Sequence, residues 1–353
     1  MDHVNLLRKT IKPHLKWHGA RLSFLALFLI ALFRVKTVNL AEIATGFEGR
    51  AETDSNYKRL QRFFRDFDLD YYAIAKLIIN IMEIPEPWVL SVDRTEWKFG
   101  RIIFNILTLG IVHQAVAFPL LWWMLDKKGN SNTQERVDLL EEFVELFCER
   151  KIAYVTADRE FLGHDWLNYL LSQPMMPFRI RIRHSDCLSD GKHLLPASVV
   201  FSHLKIGQSQ VLSRRKCLWG YWVYVAALRL KDNSLLIVIA PDSAQNLIKD
   251  YSLRWGIETL FGIFKSRGFN LEDTHLTDSE RLSRLFALLA IALCWAHRTG
   301  QWLCEHRPII IKKHGRKAKS IFRYGFDYLR RILFNLEQYY TSFLDTLHFL
   351  SCT

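Results

Sequence analysis

The sequence predicts a mixed α/β fold, and three observations carry that expectation. After Pro85 and Pro87, three β-rich runs follow one another, and then come an amphipathic helix, a strand, a helix and a further strand. That order is the signature of a mixed sheet with helices packed against it. Two of the predicted strands end in an aspartate, Asp93 and Asp158, where ligands gather in open α/β sheets. Further on, Y-S-L-R-W-G-I-E-T-L-F-G-I-F-K sets its polar residues along one stripe of a helix.

Taken in order, the chain reads as helical from Asn5 to about Phe67, with turns at Gly19, Gly46 and Gly49. The apolar run L-S-F-L-A-L-F-L-I-A-L-F lies between Arg21 and Arg34. At about 12 residues it falls short of the ~20 that span a bilayer, so a buried core helix is expected. Val38 to Gly46 and N-Y-K-R-L-Q-R-F-F-R predict two short helices, the second carrying Lys58, Arg59, Arg62 and Arg65. Such a pair either reads DNA or presents a solvated basic face.

W-V-L-S-V-D forms the first strand and ends at Asp93, and R-I-I-F-N-I-L-T-L-G-I-V and A-V-A-F-P-L-L-W-W-M-L supply the next two. Residues 133–150 form an amphipathic helix with Thr133 as its cap. I-A-Y-V-T-A-D is a strand ending at Asp158, followed by a helix from Gly163 to Ser172 and the strand F-R-I-R-I-R. Residues 185–240 hold short β runs and predict an all-β insertion. A long apolar helix over residues 280–306 precedes a basic tail in which Lys312, Lys313, Arg316, Lys317, Lys319, Arg323, Arg330 and Arg331 face Asp327 alone.

Half of the 353 residues are hydrophobic, which provides a large core and excludes a disordered chain. Lys and Arg number 48 against 36 Asp and Glu, a surplus that favours a polyanionic partner. The six cysteines (Cys148, Cys187, Cys217, Cys294, Cys304 and Cys352) form no C-x-x-C pair, which points to a reduced, cytoplasmic setting. Cys294, His297, Cys304 and His306 cluster in sequence but match no common zinc spacing, and buried helix positions are the better expectation.

On a continuous helix with Tyr251 at zero, Arg254 falls near ~300°, Glu258 near ~340° and Lys265 near ~320°. The apolar Leu253, Ile257, Leu260, Phe261 and Phe264 take the other side. Tyr251 and Trp255 are then expected on the open side, with Gly262 leaving room for close approach. The stripe, roughly 21 Å long, suits an extended phosphate-bearing ligand. Asp93, Asp158 and Glu258 together are what a two-metal phosphoryl-transfer site needs, since Mg²⁺ takes oxygen ligands and two ions can hold the attacking and leaving oxygens.

These motifs resemble the bacterial insertion-sequence transposases of the DDE type, in the fourth insertion-sequence family, whose hallmark is Y-(2)-R-(3)-E-(6)-K. The signature stands here as Tyr251, Arg254, Glu258 and Lys265, with V-D-R-T-E-W and T-A-D-R-E-F similar to the two aspartate motifs. The resemblance implies a ribonuclease-H-like catalytic core with an inserted β segment and an N-terminal helical DNA-binding region. It implies Asp93, Asp158 and Glu258 as catalytic ligands of two Mg²⁺ ions, for which Mn²⁺ can substitute. Tyr251, Arg254 and Lys265 become contacts to the transposon end, with Trp255 and Arg159 as further DNA-binding residues.

The implied activity is cut-and-paste transposition through a hairpin intermediate. The implied partners are double-stranded transposon ends and target DNA, held by a homodimer, with no membrane involved and a bacterial cytoplasmic location on the nucleoid. A nuclease of the same fold and a decayed end-binding protein are the alternatives. Trp219 and Trp222 are both candidates to stack on a base, and core packing or an interface would equally explain them. The corresponding division is 1–85 helical and DNA-binding, 86–184 first core part, 185–240 β-rich insertion, 241–306 second core part with the Glu258 helix, and 307–353 basic and helical.

Overall fold

The computed structural model describes residues 2–99, 102–172, 176–243, 245–313 and 315–351. Cys352 lies outside the described residues. Five helices open the chain: α1 Asp2–Ile11, α2 Gly19–Val35, α3 Leu40–Thr45, α4 Thr53–Asp66 and α5 Tyr71–Met82. The apolar run is α2, a core helix buried from Phe24 through Phe33 except at Leu27. Among the described residues, no helix is long and apolar enough to cross a membrane. α4 buries Leu60, Phe63 and Phe64, stacks Phe63 on Phe24 at 4.0 Å, and turns Lys58, Arg62 and Arg65 to solvent.

Next come β1 Trp88–Phe99, β2 Ile102–His113, β3 Val116–Leu125, α6 Thr133–Leu146, β4 Ile152–Ala157, α7 His164–Ser172 and β5 Phe178–Ile182. β1 to β3 form an antiparallel meander, while β1, β4 and β5 run parallel, giving the order β3-β2-β1-β4-β5. The mixed α/β core is therefore as the sequence predicts. Two details differ. Asn132, not Thr133, caps α6, through a reciprocal capping box with Glu135. Asp93 lies inside the twelve-residue strand β1 rather than at its end. The parallel ladder between β1 and β4 stops at Val92–Ala157, however, so Asp93 and Asp158 both stand one residue past that shared edge.

The segment read as an insertion contains β6 Cys187–Ser189, β7 Leu194–Pro196, a one-turn helix α8 Ala197–Val200, β8 Ser209–Val211, β9 Lys216–Leu218, β10 Tyr221–Arg229 and β11 Leu235–Ala240. It is mostly β rather than wholly so, because Pro196 caps the short α8. β11 pairs with β5, so this segment continues the main sheet, which counts eleven strands among the described residues.

The chain then enters α9 Leu247–Ser252, α10 Trp255–Gly262, the 28-residue α11 Ser279–His306, α12 Ile321–Phe334 and α13 Tyr340–Ser351. α11 is buried along most of its length, with Cys294 and His297 enclosed as ordinary core positions. The first and last segments, divided in sequence, pack together. Arg34 of α2 donates to the Leu333 carbonyl of α12 at 2.7 and 2.8 Å, and His14 meets the Ser351 carbonyl at 2.8 Å.

Candidate active site

The signature segment is not one helix. α9 ends at Ser252, and the N–H groups of Leu253, Arg254, Gly256 and Ile257 each reach back three residues, to Asp250, Tyr251, Leu253 and Arg254. A turn of that kind advances about 120° per residue instead of 100°. The register beyond it is rotated, and α10 then passes into a π-helical turn over Ile263–Arg267. Three expectations are corrected, the first because α9 packs Tyr251 with Ala226, Val238, Ala240 and Leu247, the other two for this reason. Tyr251 is buried, not open; Leu253 is exposed, not in the core; and Arg254 is enclosed, only 4 % exposed. Trp255 is open to solvent, as expected.

A close approach of this segment to the sheet is made by another glycine, Gly256. A Cβ on Gly262 would meet only the Arg267 side chain at 3.3 Å, whereas one on Gly256 would come within 2.9 Å of Val112 Cγ1 and 3.2 Å of the Ala117 nitrogen. Gly256 lets α10 lie directly on the β2–β3 hairpin, which holds Glu258 over the sheet.

Around this segment the three carboxylates share one pair of side chains. Arg254 Nη2 donates to Glu258 Oε1 at 2.7 Å, and its Nη1 lies 3.7 Å from Asp93 Oδ2. The Tyr251 hydroxyl donates to Asp158 Oδ1 at 3.2 Å. Each aspartate also accepts the amide of the next residue, Asp93 from Arg94 at 2.8 Å and Asp158 from Arg159 at 2.7 Å. The guanidinium stacks by Tyr251 and Trp255, with ring centroids at 5.7 and 5.1 Å.

Burial pushes the Asp93 carboxyl up to about 7, against the opposing pull of the Arg94 amide and Arg254. Burial raises the Tyr251 phenol as well, so it stays protonated and a donor. Burial alone would lower Arg254, but Tyr251, Asp158 and Glu258 hold it above its usual value. Its Nε is buried and lacks a hydrogen-bond partner, a donor aimed at no protein group.

Lys265 stands apart, half-buried over the Trp97 ring at 5.6 Å and donating to the Glu96 carbonyl at 3.2 Å. Burial lowers its ammonium, with Glu272 opposing. Arg159 is exposed beside Asp158. Trp219 is exposed on the β9–β10 turn and Trp222 is exposed on β10, which disfavours core packing for either.

Sequence reasoning passed over Arg94. Its guanidinium reaches Glu96 Oε1 at 2.9 Å, Asn105 Oδ1 at 3.2 Å, Asn130 Oδ1 at 3.0 Å and Glu160 Oε2 at 3.5 Å, and so ties the Asp93 strand to the turn after Asp158. Its place beside Asp93 was the available signal. Arg179 does similar work for α9, bonding Asp242 at 2.6 Å and Asp250 at 3.3 Å.

The donor set suits Mg²⁺, being carboxylate oxygens alone, and a buried carboxyl pushed up to about 7 is one that a neighbouring cation would favour in its charged form. In the arrangement described, Arg254 takes that cationic place, and among the described residues no three His, Cys, Asp or Glu side chains lie close enough to hold an ion.

Comparison with known proteins bears on the same residues. The cryo-EM structure of a piggyBac transposase synaptic complex with hairpin DNA aligns over 99 % of this chain and 83 % of that chain, at 11 % identity and a TM-score of 0.46. The family assignment does not rest on that likeness. No curated protein matches the chain. The sequence model of the transposase DDE domain matches residues 85–295, a span that includes Asp93, Asp158 and the whole Tyr251–Lys265 signature. Because that span is well over half of its length, the chain belongs to the transposase DDE domain family.

Proposed function

We propose that this protein is an insertion-sequence transposase that cuts and rejoins DNA by metal-dependent phosphoryl transfer at Asp93, Asp158 and Glu258. The observation that carries the reading is the convergence of these three carboxylates on Arg254 and Tyr251 at the edge of the parallel ladder. Two Mg²⁺ ions, or Mn²⁺ in their place, would be held by Asp93, Asp158 and Glu258. When bound, they activate a water or 3′-hydroxyl and stabilise the leaving oxygen.

The protein's own residues set the geometry. Arg254 bridges Asp93 and Glu258, and its buried, unpartnered Nε is a donor that a phosphate oxygen could take. Tyr251 holds Asp158 in one rotamer through its hydroxyl. Trp255, exposed above Arg254, offers a face to a base displaced at the transposon end. Lys265 engages the strand further along, at the Glu96–Trp97 end of β1. Cut-and-paste movement through a terminal hairpin, with two ends held by a homodimer on the bacterial nucleoid, completes the reading. The basic face of α4 in the 1–85 region adds contacts to end DNA.

The test uses duplexes that carry the element's own inverted repeats. The wild type nicks and joins them with Mg²⁺ or Mn²⁺, and Glu258→Gln loses both steps by on the order of 10³-fold or more while still binding the ends. Cleavage by Glu258→Gln at the wild-type rate would remove it from the site. Cutting without joining would identify a nuclease, and binding without cutting by the wild type a decayed end-binding protein.

A further inference from the structure

Between Arg307 and Phe326 the sequence has seven Lys or Arg residues and no Asp or Glu. A run like this is commonly a solvated face, but here it is folded into a hairpin that also presents apolar residues to solvent. The Ile311–Lys317 bridge closes an antiparallel hairpin, with Ala318 donating to the Ile310 carbonyl and Lys312 to the Arg316 carbonyl, each at 2.8 Å. Gly315, at φ +78°, makes the turn, a backbone conformation that glycine adopts without strain. Ile310 and Ile311 are 76 % and 67 % exposed, while Lys312, Lys313 and Lys317 beside them are also open. An isolated hairpin gains nothing by holding two isoleucines in water.

The position of this hairpin adds a second observation. Lys317 and Lys319 line the same open cleft as Gln114 and Ala115 of the β2–β3 turn and Thr259, the residue after Glu258. A polyanion lying in that cleft runs past the residue next to Glu258 and meets the hairpin at Lys317 and Lys319.

We infer that this hairpin is a second DNA-contact surface, entering the minor groove of a duplex that lies along this cleft, with Ile310 and Ile311 as apolar wedge and Lys312, Lys313 and Lys317 on the flanking phosphates. Cations beside an inserted aliphatic side chain are the chemistry of minor-groove binders that bend DNA. The segment from Arg307 to Ser320 holds no Asn or Gln to read adenine edges in the major groove. The inference rests on the DNA-processing reading above but not on its metal chemistry.

The experiment omits metal and measures binding to a mixed-sequence duplex about four helical turns long across a KCl series. Bending is read by energy transfer between dyes on the two ends. Replacing Lys312, Lys313 and Lys317 with alanine should lower the log–log salt slope by about 2 to 3, since each phosphate contact contributes about 0.9. Lysine-to-arginine versions should keep the slope. Ile310→Ser with Ile311→Ser should keep the slope but abolish the bend, and distamycin, which fills the minor groove, should compete with the wild type and not with this variant.

An unchanged slope, or an unchanged bend in the serine variant, overturns the inference. So does equal loss by the lysine variant of binding to anionic lipid vesicles and to DNA, which would make the hairpin a general polyanion surface. Loss of cleavage in Glu258→Gln tests the catalytic reading separately, because no outcome here depends on cleavage.

Discussion

Two cationic regions of this molecule are built on opposite principles. In the signature segment, Arg254 is buried, neutralised in place by Asp93 and Glu258, and stacked between Tyr251 and Trp255. In the 307–320 hairpin, Lys312, Lys313 and Lys317 stand in solvent, while Lys319 pairs with Asp327 at 2.7 Å. The difference teaches that positive charge does separate jobs here. A guanidinium enclosed with carboxylates is strongly coupled to them, and little of its charge is felt at a distance. Exposed lysines couple weakly to the protein and act additively on phosphate through counterion release.

The sharpest test of that contrast is Arg254→Ala. It should reduce cleavage by about 100-fold or more, because it disturbs groups that act as a unit. It should also lower the melting temperature in EDTA, since breaking an enclosed ion pair leaves Asp93 without its partner. Mg²⁺ should then raise the melting temperature more in the variant than in the wild type, where Arg254 competes for the same oxygens. Equal Mg²⁺ shifts would break the comparison by making Arg254 a mere phosphate contact like the hairpin lysines.

Tyr251→Phe removes only the hydroxyl that orients Asp158. Losing a partner of a ligating carboxylate should raise the Mg²⁺ concentration needed for half-maximal cleavage by about 10-fold, read from a metal titration. An unchanged titration would show that Asp158 is held without it.

Gly256→Ala forces a Cβ to 2.9 Å from Val112 Cγ1 and 3.2 Å from the Ala117 backbone. Overpacking of this kind should cost about 1–2 kcal/mol in a urea melt. Gly262→Ala, facing the flexible end of Arg267, should cost less. The reverse order would mean that α10 does not seat on the hairpin as described.

A smaller effect is expected at His297, which burial pushes down to about 3 and which sits edge-on to Phe118 at 5.0 Å. Its folded value lies below its unfolded value, so the neutral ring's contribution is complete above about pH 6.5 and is lost as pH falls towards 3. His297→Leu should flatten stability between pH 6.5 and 5, where the wild type loses at most about 1.4 kcal/mol per pH unit. Parallel profiles for the two proteins would assign the pH dependence elsewhere. The smallest effect on stability is expected from Trp255→Ala, within about 0.5 kcal/mol because the ring is exposed. Its fluorescence on binding end DNA should nonetheless quench in the wild type and not in the variant.

Much of the fold was legible because it is written in local pattern. The three-strand meander, the helix–strand–helix alternation and the apolar α11 follow from runs whose period and length select one element. Asp93, Asp158 and Glu258 were candidates from local pattern, although Asp93 lies inside β1 and the helix stripe is broken between α9 and α10. The N- and C-terminal helices looked like separate regions only because no local signal says that α2 will meet α12.

The residue order by itself determined most of the element types and the family to which the chain belongs. Tertiary structure alone decided that Tyr251 and Arg254 turn inward, that Gly256 is where α10 seats on the β2–β3 hairpin, and that Arg94 ties the two aspartate segments together. Tyr251 turns inward because α9 packs on β10 and β11, and for Arg254 and Gly256 the physical reason is the tightened turn between α9 and α10. Its backbone bonds, formed against the β2–β3 hairpin, rotate every later side chain away from the register that a free helix would keep.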